Sequence, residues 1–190
     1  MITDQDRSGW FGASDTQYIM GNWKTKTFRK WWMQKLGLDD SHYTTRAMNA
    51  GTYYEHAILE HIGVPRRDHQ IIIPHLKLRV NLDGDGPGWI CEVKTHKVEN
   101  KFKVTNAYWQ QVQVQMYAKL TVEKVLPYAE IAAYGLTEAD YRNFFNDIDP
   151  MRLKRHPIAY DTGFTEKYLP RLKYLADCLE RGVFPSEITG

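Results

Sequence analysis

Residues 76–95 constrain the fold more than any other stretch. Leu76, Leu78, Val80 and Leu82 alternate with Lys77, Arg79 and Asn81, the signature of a half-buried strand. Gly84-Asp85-Gly86-Pro87-Gly88 follows and reads as a turn. Residues 89–95 read as the next strand. An isolated hairpin is at best marginally stable, so this one needs further strands or helices against it.

The rest of the chain supplies them. Residues 25–36 read as a helix with Phe28, Trp31, Trp32 and Leu36 at helical spacing, ended by Gly37. Residues 45–62 read as a second helix, closed by Gly63 with Pro65 beyond. Residues 70–73 form a short β-type run before Pro74. Residues 106–120 carry two signals. Gln111 to Met116 alternates like a strand, yet Tyr108, Val112 and Met116 recur every fourth residue, and the length without Gly or Pro favours a helix. Residues 128–134 and 158–160 read as strands. Residues 165–181 read as a final helix, ended by Gly182, in which Pro170 either introduces a kink or marks the true start. With no repeat, low-complexity tract or linker, this order predicts one α/β domain over residues 1–190, a central mixed sheet flanked by helices.

Composition narrows the chemistry. The two cysteines, Cys91 and Cys178, cannot furnish a disulfide framework, an iron–sulfur cluster or an all-cysteine zinc site. The first seven residues lack the basic and apolar regions of a signal peptide, and no apolar run approaches membrane-spanning length. The expected location is the cytoplasm, with no membrane partner. The net charge of +2 implies no strong global grip on nucleic acid. Cations do cluster at Lys24–Lys35, Lys94–Lys103 and Arg152–Arg155, patterns that suit a solvated face as well as a phosphate backbone.

The acidic residues are more informative. Asp83 lies just past one strand. Glu92 and Lys94 sit two apart on the next, so their side chains share a face. In a hairpin, two carboxylates and an ammonium then converge. Hard cations such as Mg2+ take carboxylate, carbonyl and water oxygens, and the Val93 carbonyl is a further candidate ligand. A lysine beside a metal-bound water can orient it or stabilise its hydroxide form. A third carboxylate comes from the second helix, where Glu55 shares a face with Gly51, Leu59 and Ile62 and so points to the apolar side. A carboxylate buried there needs a partner, a proton or a metal. Asp85 is a rival to Asp83, although a turn acid is more often solvated. His56, His61 and His69 show no zinc-ligand spacing and read as structural. Cys91 should point away from Glu92 and pack. Trp23, Trp31 and Trp32 read as core residues.

With those residues in place, the sequence resembles the PD-(D/E)XK nuclease superfamily, and more closely the phage lambda exonuclease and YqaJ-like viral recombinase family. Gly12-Ala-Ser-Asp15 with Gly21 resembles the family's N-terminal segment, Gly51 to Glu55 its G-x-x-x-E helix, and Leu82-Asp83-Gly84 its P-D-G motif. Glu92-Val93-Lys94 matches E-x-K, and Tyr108 to Met116 resembles the Y-x-x-Q-x-Q helix. The resemblance implies a restriction-endonuclease-like core. It implies Glu55, Asp83 and Glu92 as metal ligands, with Lys94 catalytic and Gln111 hydrogen-bonded near the site. Gln113, beside Gln111 in the motif, is implied to contact the DNA. Arg7 and Ser14 match positions that hold the 5′-phosphate of a DNA end. The third member of that pocket is a serine in the family and Asn81 here.

The implied activity is a Mg2+-dependent 5′→3′ exonuclease, with Mn2+ able to substitute and one or two ions acting. It would degrade one strand of double-stranded DNA from its ends for phage-type recombination. The implied partners are a single-strand annealing protein and two further copies in a toroidal trimer. The alternative within enzymes is an endonuclease or structure-specific nuclease of the same fold. A DNA-binding module with a degenerate site is disfavoured because all three carboxylates and the lysine are present. A small-molecule enzyme is disfavoured because no Gly-rich nucleotide loop appears.

Overall fold

The computed structural model describes residues 8–39 and 46–186. One five-stranded sheet organises the chain in the order β1-β2-β3-β4-β5, formed by Arg66–Ile73, Leu78–Gly86, Trp89–Lys97, Tyr128–Leu136 and Leu153–Ile158. Three of its four neighbouring pairs are antiparallel, and β3 and β4 run parallel. A parallel pair cannot be joined by a tight turn. Helix α4 (Asn106–Glu123), the preceding α1 (Thr16–Ile19), α2 (Lys26–Lys35) and α3 (Arg46–Ile62), and the terminal α5 (Thr162–Glu180) complete the α/β architecture. The connection from β3 to β4 runs through α4.

Two apolar layers sandwich the sheet. On one face Ile90, Ala129 and Ile131 pack with Val112 and Met116 of α4, Leu172 and Leu175 of α5 and the aromatic face of α2. On the other face Cys91, Val93, Ala132 and Tyr134 pack against Ala50, Tyr54 and Ile58 of α3. Alternation along β3 therefore sends Cys91 and Val93 towards α3 and Ile90 and Glu92 towards α4. Trp31 and Trp32 are core residues, as their spacing predicts. Trp23 is half-buried, stacked on Phe28 and Tyr174.

Local chemistry accounts for the helix starts. Thr25, Thr105 and Asp161 accept the N–H groups of Phe28, Tyr108 and Phe164, so α2, α4 and α5 each begin on a side-chain cap. The cap on Asp161 places the start of α5 three residues before 165, with Pro170 inside the helix.

Three sequence expectations are corrected. Residues 84–88 are not a turn throughout: β2 continues to Gly86, and Pro87-Gly88 alone reverses the chain. The fifth strand occupies Leu153–Ile158, not 158–160. The strand expected from residue 76 begins at Leu78, because Pro74–Leu76 forms a 3-10 turn and Lys77 takes φ 49°. The 106–120 ambiguity resolves as helix.

Gly84 shows why glycines occupy a strand here. A Cβ at this position would stand 2.6 Å from Leu59 Cδ2 and 2.7 Å from Val64 Cγ1. The end of α3 thus rests directly on the β2 backbone. Gly84→Ala is expected to cost about 1–3 kcal/mol, as overpacking does. Urea denaturation measures it, and an unchanged midpoint would mean that α3 shifts freely.

Candidate active site

The β2–β3 ladder is short. It pairs Gly86 with Trp89, Asp85 with Ile90 and Gly84 with Cys91, and no pair is made beyond. At the next step the strands fork, and the carboxylate of Asp83 occupies the gap, its Oδ2 accepting the Val93 N–H at 2.8 Å. A side chain here replaces a backbone hydrogen bond. The fork opens into a cavity of about 740 Å³ whose lining includes Glu55, Asp83, Glu92, Val93, Lys94 and Gln111. Residues from both sides of the sheet meet there, Glu55 from α3 and Gln111 from α4.

Glu92 is the most enclosed of the acids that line the cavity, at 1% exposure. Its Oε1 accepts from Lys94 Nζ at 2.6 Å and from Gln111 Nε2 at 2.5 Å, and its Oε2 accepts from Gln115 Nε2. Charge-assisted bonds of this kind fix the carboxylate's orientation. Lys94 also lies over the Tyr108 ring, 5.1 Å from its centroid. Burial works against the charge on Lys94, but the carboxylates of Glu92 and Asp83 outweigh it and hold the ammonium protonated beyond its ordinary range.

The other two acids are under strain of like charge. Burial first, then the charges of Glu92 and Glu55, push the Asp83 carboxyl well above the usual carboxylate range. Burial, then Glu92 and Asp68, push Glu55 up to about 7. One ammonium does not offset three crowded carboxylates, whereas a divalent cation would. All the donors are hard oxygens. The residues present therefore fit Mg2+ or Mn2+.

Glu55 belongs to a second grouping as well. With His56 and Asp68 it places three candidate ligand atoms within 4.8 Å of one another. His56 Nε2 lies 2.9 Å from Asp68 Oδ2. Asp68 takes φ 53°, and the register places it between the pairs Arg67–Gly84 and His69–Leu82, across β1–β2 from Asp83. His56, expected to be merely structural, thus borders the acidic cluster.

Other expected residues divide. Ser14 and Asn81 line the same cavity, together with Arg79. Asn81 Oδ1 accepts from Gln70 Nε2 at 2.9 Å. Arg7 lies outside the described residues. Gln113 does not reach the cavity: it is fully buried, donates to the Ala159 carbonyl at 2.8 Å and accepts the Asp161 N–H at 2.8 Å, locking the β5–α5 connection. Its assignment to DNA contact is corrected to a structural one. The residue that joins Gln111 on Glu92 is Gln115, one helical turn on. The spacing of four was the signal that could have found it. Asp85, the rival acid, is buried against Lys119 Nζ at 2.6 Å and paired with Arg66. It belongs to the core beyond the fork.

The Gly12–Asp15 segment has a physical role too. Asp15 accepts from the Gly12 N–H at 2.7 Å, from the Trp31 indole at 2.8 Å and from Lys35 at 2.6 Å. These bonds tie the turn carrying Ser14 to α2. They also bury Lys35, so this member of the first cation cluster serves neither a solvated face nor a phosphate backbone.

A mixed five-stranded sheet flanked by helices, forked at an acidic cavity, defines the class of fold, an α/β core. In fold, the chain is similar to the alkaline exonuclease LHK-Exo from Laribacter hongkongensis, with a TM-score of 0.68 and 19% identity over 92% of this chain and 90% of that one. It is also similar to a phage related exonuclease from Haemophilus somnus 129PT, with a TM-score of 0.67 and 16% identity over 90% of this chain and 94% of that one. LHK-Exo has also been solved in complex with dAMP. No family model matches the chain, and no curated protein matches it in sequence.

Proposed function

We propose that the protein is a divalent-metal-dependent exonuclease that degrades one strand of double-stranded DNA from its end in the 5′→3′ direction. The observation that carries this reading is the fork, where Asp83, Glu92, Lys94 and Glu55 line one cavity. Similarity of fold to solved exonucleases supports it.

Asp83 and Glu92 would hold Mg2+, or Mn2+ in its place, with the Val93 carbonyl and Glu55 completing the set for one or two ions. When bound, such an ion acidifies a water ligand and offsets charge developing on the phosphate. Lys94, kept cationic by its acidic neighbours, donates a hydrogen bond to the attacking water or to a phosphate oxygen. Gln111 and Gln115 hold Glu92 in place. Ser14 and Asn81, with Arg7, would receive the terminal 5′-phosphate. The 3′-ended single strand left behind would suit a single-strand annealing protein in recombination.

The test is digestion with Mg2+ of linear and covalently closed circular duplex, each strand end labelled separately. The linear form should be consumed from its 5′ ends while the circle survives. Cutting of the circle would establish the endonuclease alternative, and digestion of neither would reject nuclease activity.

A further inference from the structure

The cavity has an aromatic edge to which the chemistry above gives no role. Tyr53 lines it two residues before Glu55 and is 53% exposed. Its ring stacks on Phe144, with centroids 4.8 Å apart and planes 11° apart. Phe145, the next residue, is 88% exposed. Exposed aromatic groups of this size gain free energy when something covers them.

The loop that brings Phe144 there is firmly held. Asp140, only 2% exposed, accepts from the Thr137 N–H at 2.7 Å, from the Thr137 hydroxyl at 2.8 Å, from Asn146 at 3.2 Å and from Arg152. Buried Tyr54 brings its hydroxyl to 2.8 Å from the Asn143 carbonyl oxygen and 3.2 Å from Asp140, sharing one proton between them. Burial, and then the Asp140 charge, push this hydroxyl up to about 12, so it stays a donor. Three neighbouring residues of α3 therefore divide the work. Tyr54 anchors the loop, Glu55 faces the acidic cluster, and Tyr53 meets the loop's aromatic tip.

We propose that Tyr53 and Phe144, extended by Phe145, form a stacking shelf for an unpaired nucleobase of the polynucleotide whose phosphate lies at the carboxylates. The inference rests on the nuclease reading above. Tyr53 makes the shelf continuous with the cavity, and with a divalent cation held at the carboxylates an occupant spanning both offers an anionic group and a flat ring together. A nucleotide does so. Tyr53 and Glu55 diverge around the α3 axis, as residues two apart do, and line opposite parts of the one cavity, so a polynucleotide crossing it meets both. Bases inside a duplex hide their faces in the stack, so the shelf takes a terminal or frayed base and tolerates any sequence.

The experiment uses the full chain with Ca2+ in place of Mg2+ and duplexes carrying 2-aminopurine in a short single-stranded end. Wild type should bind and quench the probe. Tyr53→Leu should weaken binding by roughly five- to one-hundred-fold and relieve the quenching, in line with one lost base stack. Tyr53→Phe should restore both. A thermal melt matching wild type shows that Tyr53→Leu folds, and Phe144→Leu gives an independent reading of the same shelf. Equal affinity and quenching in the folded leucine variants would overturn the shelf while leaving the nuclease reading intact. Wild type that neither binds nor cleaves any DNA would overturn both.

Discussion

Replacing Lys94 with alanine is expected to lower the cleavage rate by roughly 10²–10⁴-fold, the range found when a positioned donor or proton-transfer group is removed. DNA binding should change by no more than a few-fold. The separation follows from position. Lys94 touches Glu92 and the Tyr108 ring within the cavity, and contributes little to either apolar layer. Anisotropy with labelled duplex in Ca2+, beside single-turnover cleavage in Mg2+, measures the two effects separately. Parallel loss of binding, cleavage and melting temperature would make Lys94 a structural ion-pair partner and nothing more.

The second large effect concerns the ion. At a hundred times its Kd, a ligand of the native state adds about 2.7 kcal/mol, roughly 5–10 °C in a chain of this size. Wild type should show such a gain with Mg2+ or Mn2+, and Asp83→Asn should lose it. Without metal, Asp83→Asn should melt at or above wild type. Asparagine still accepts the Val93 N–H, while one member of a crowded acidic group is removed.

The gain should also depend on pH, and the sign can be worked out. Glu55 ionises at about 7 in the folded chain against 4.5 ordinarily. A raised acid contributes stability that is complete below the lower value and disappears as pH rises through the higher one. The metal-free protein therefore loses stability between pH 4.5 and 7, and added metal should stabilise it more at pH 8 than at pH 5.5. An Asp83→Asn variant that gained as much as wild type would place the ligands elsewhere, with Glu55, His56 and Asp68 next in line.

Much of this was legible in the sequence because periodicity reports burial. Alternation through Leu78, Val80 and Leu82 gave β2, and the i, i+2 relation put Glu92 and Lys94 on one face. What escaped has physical causes. Gly84 and Gly86 carry the composition of a turn, but they are glycine because Leu59, Val64 and Pro65 press on the strand. The fifth strand, Leu-Lys-Arg-His-Pro-Ile, is an edge strand. Edges carry charges and proline that blur the pattern. Helix α4 is buried on several sides, so polar residues there do not mark a solvent face. Gln113 and Gln115 are both fully enclosed, and only their hydrogen bonds distinguish a structural glutamine from one that holds Glu92.

The carboxylate that bridges the fork ties architecture to chemistry at a single residue. Most replacements of Asp83 would loosen the junction of two strands as well as abolish the proposed activity. Asparagine alone could keep the junction closed. A lineage drifting from cutting DNA towards merely holding it would thus find its smoothest path through that one exchange, or through Lys94, where no backbone group depends on the side chain.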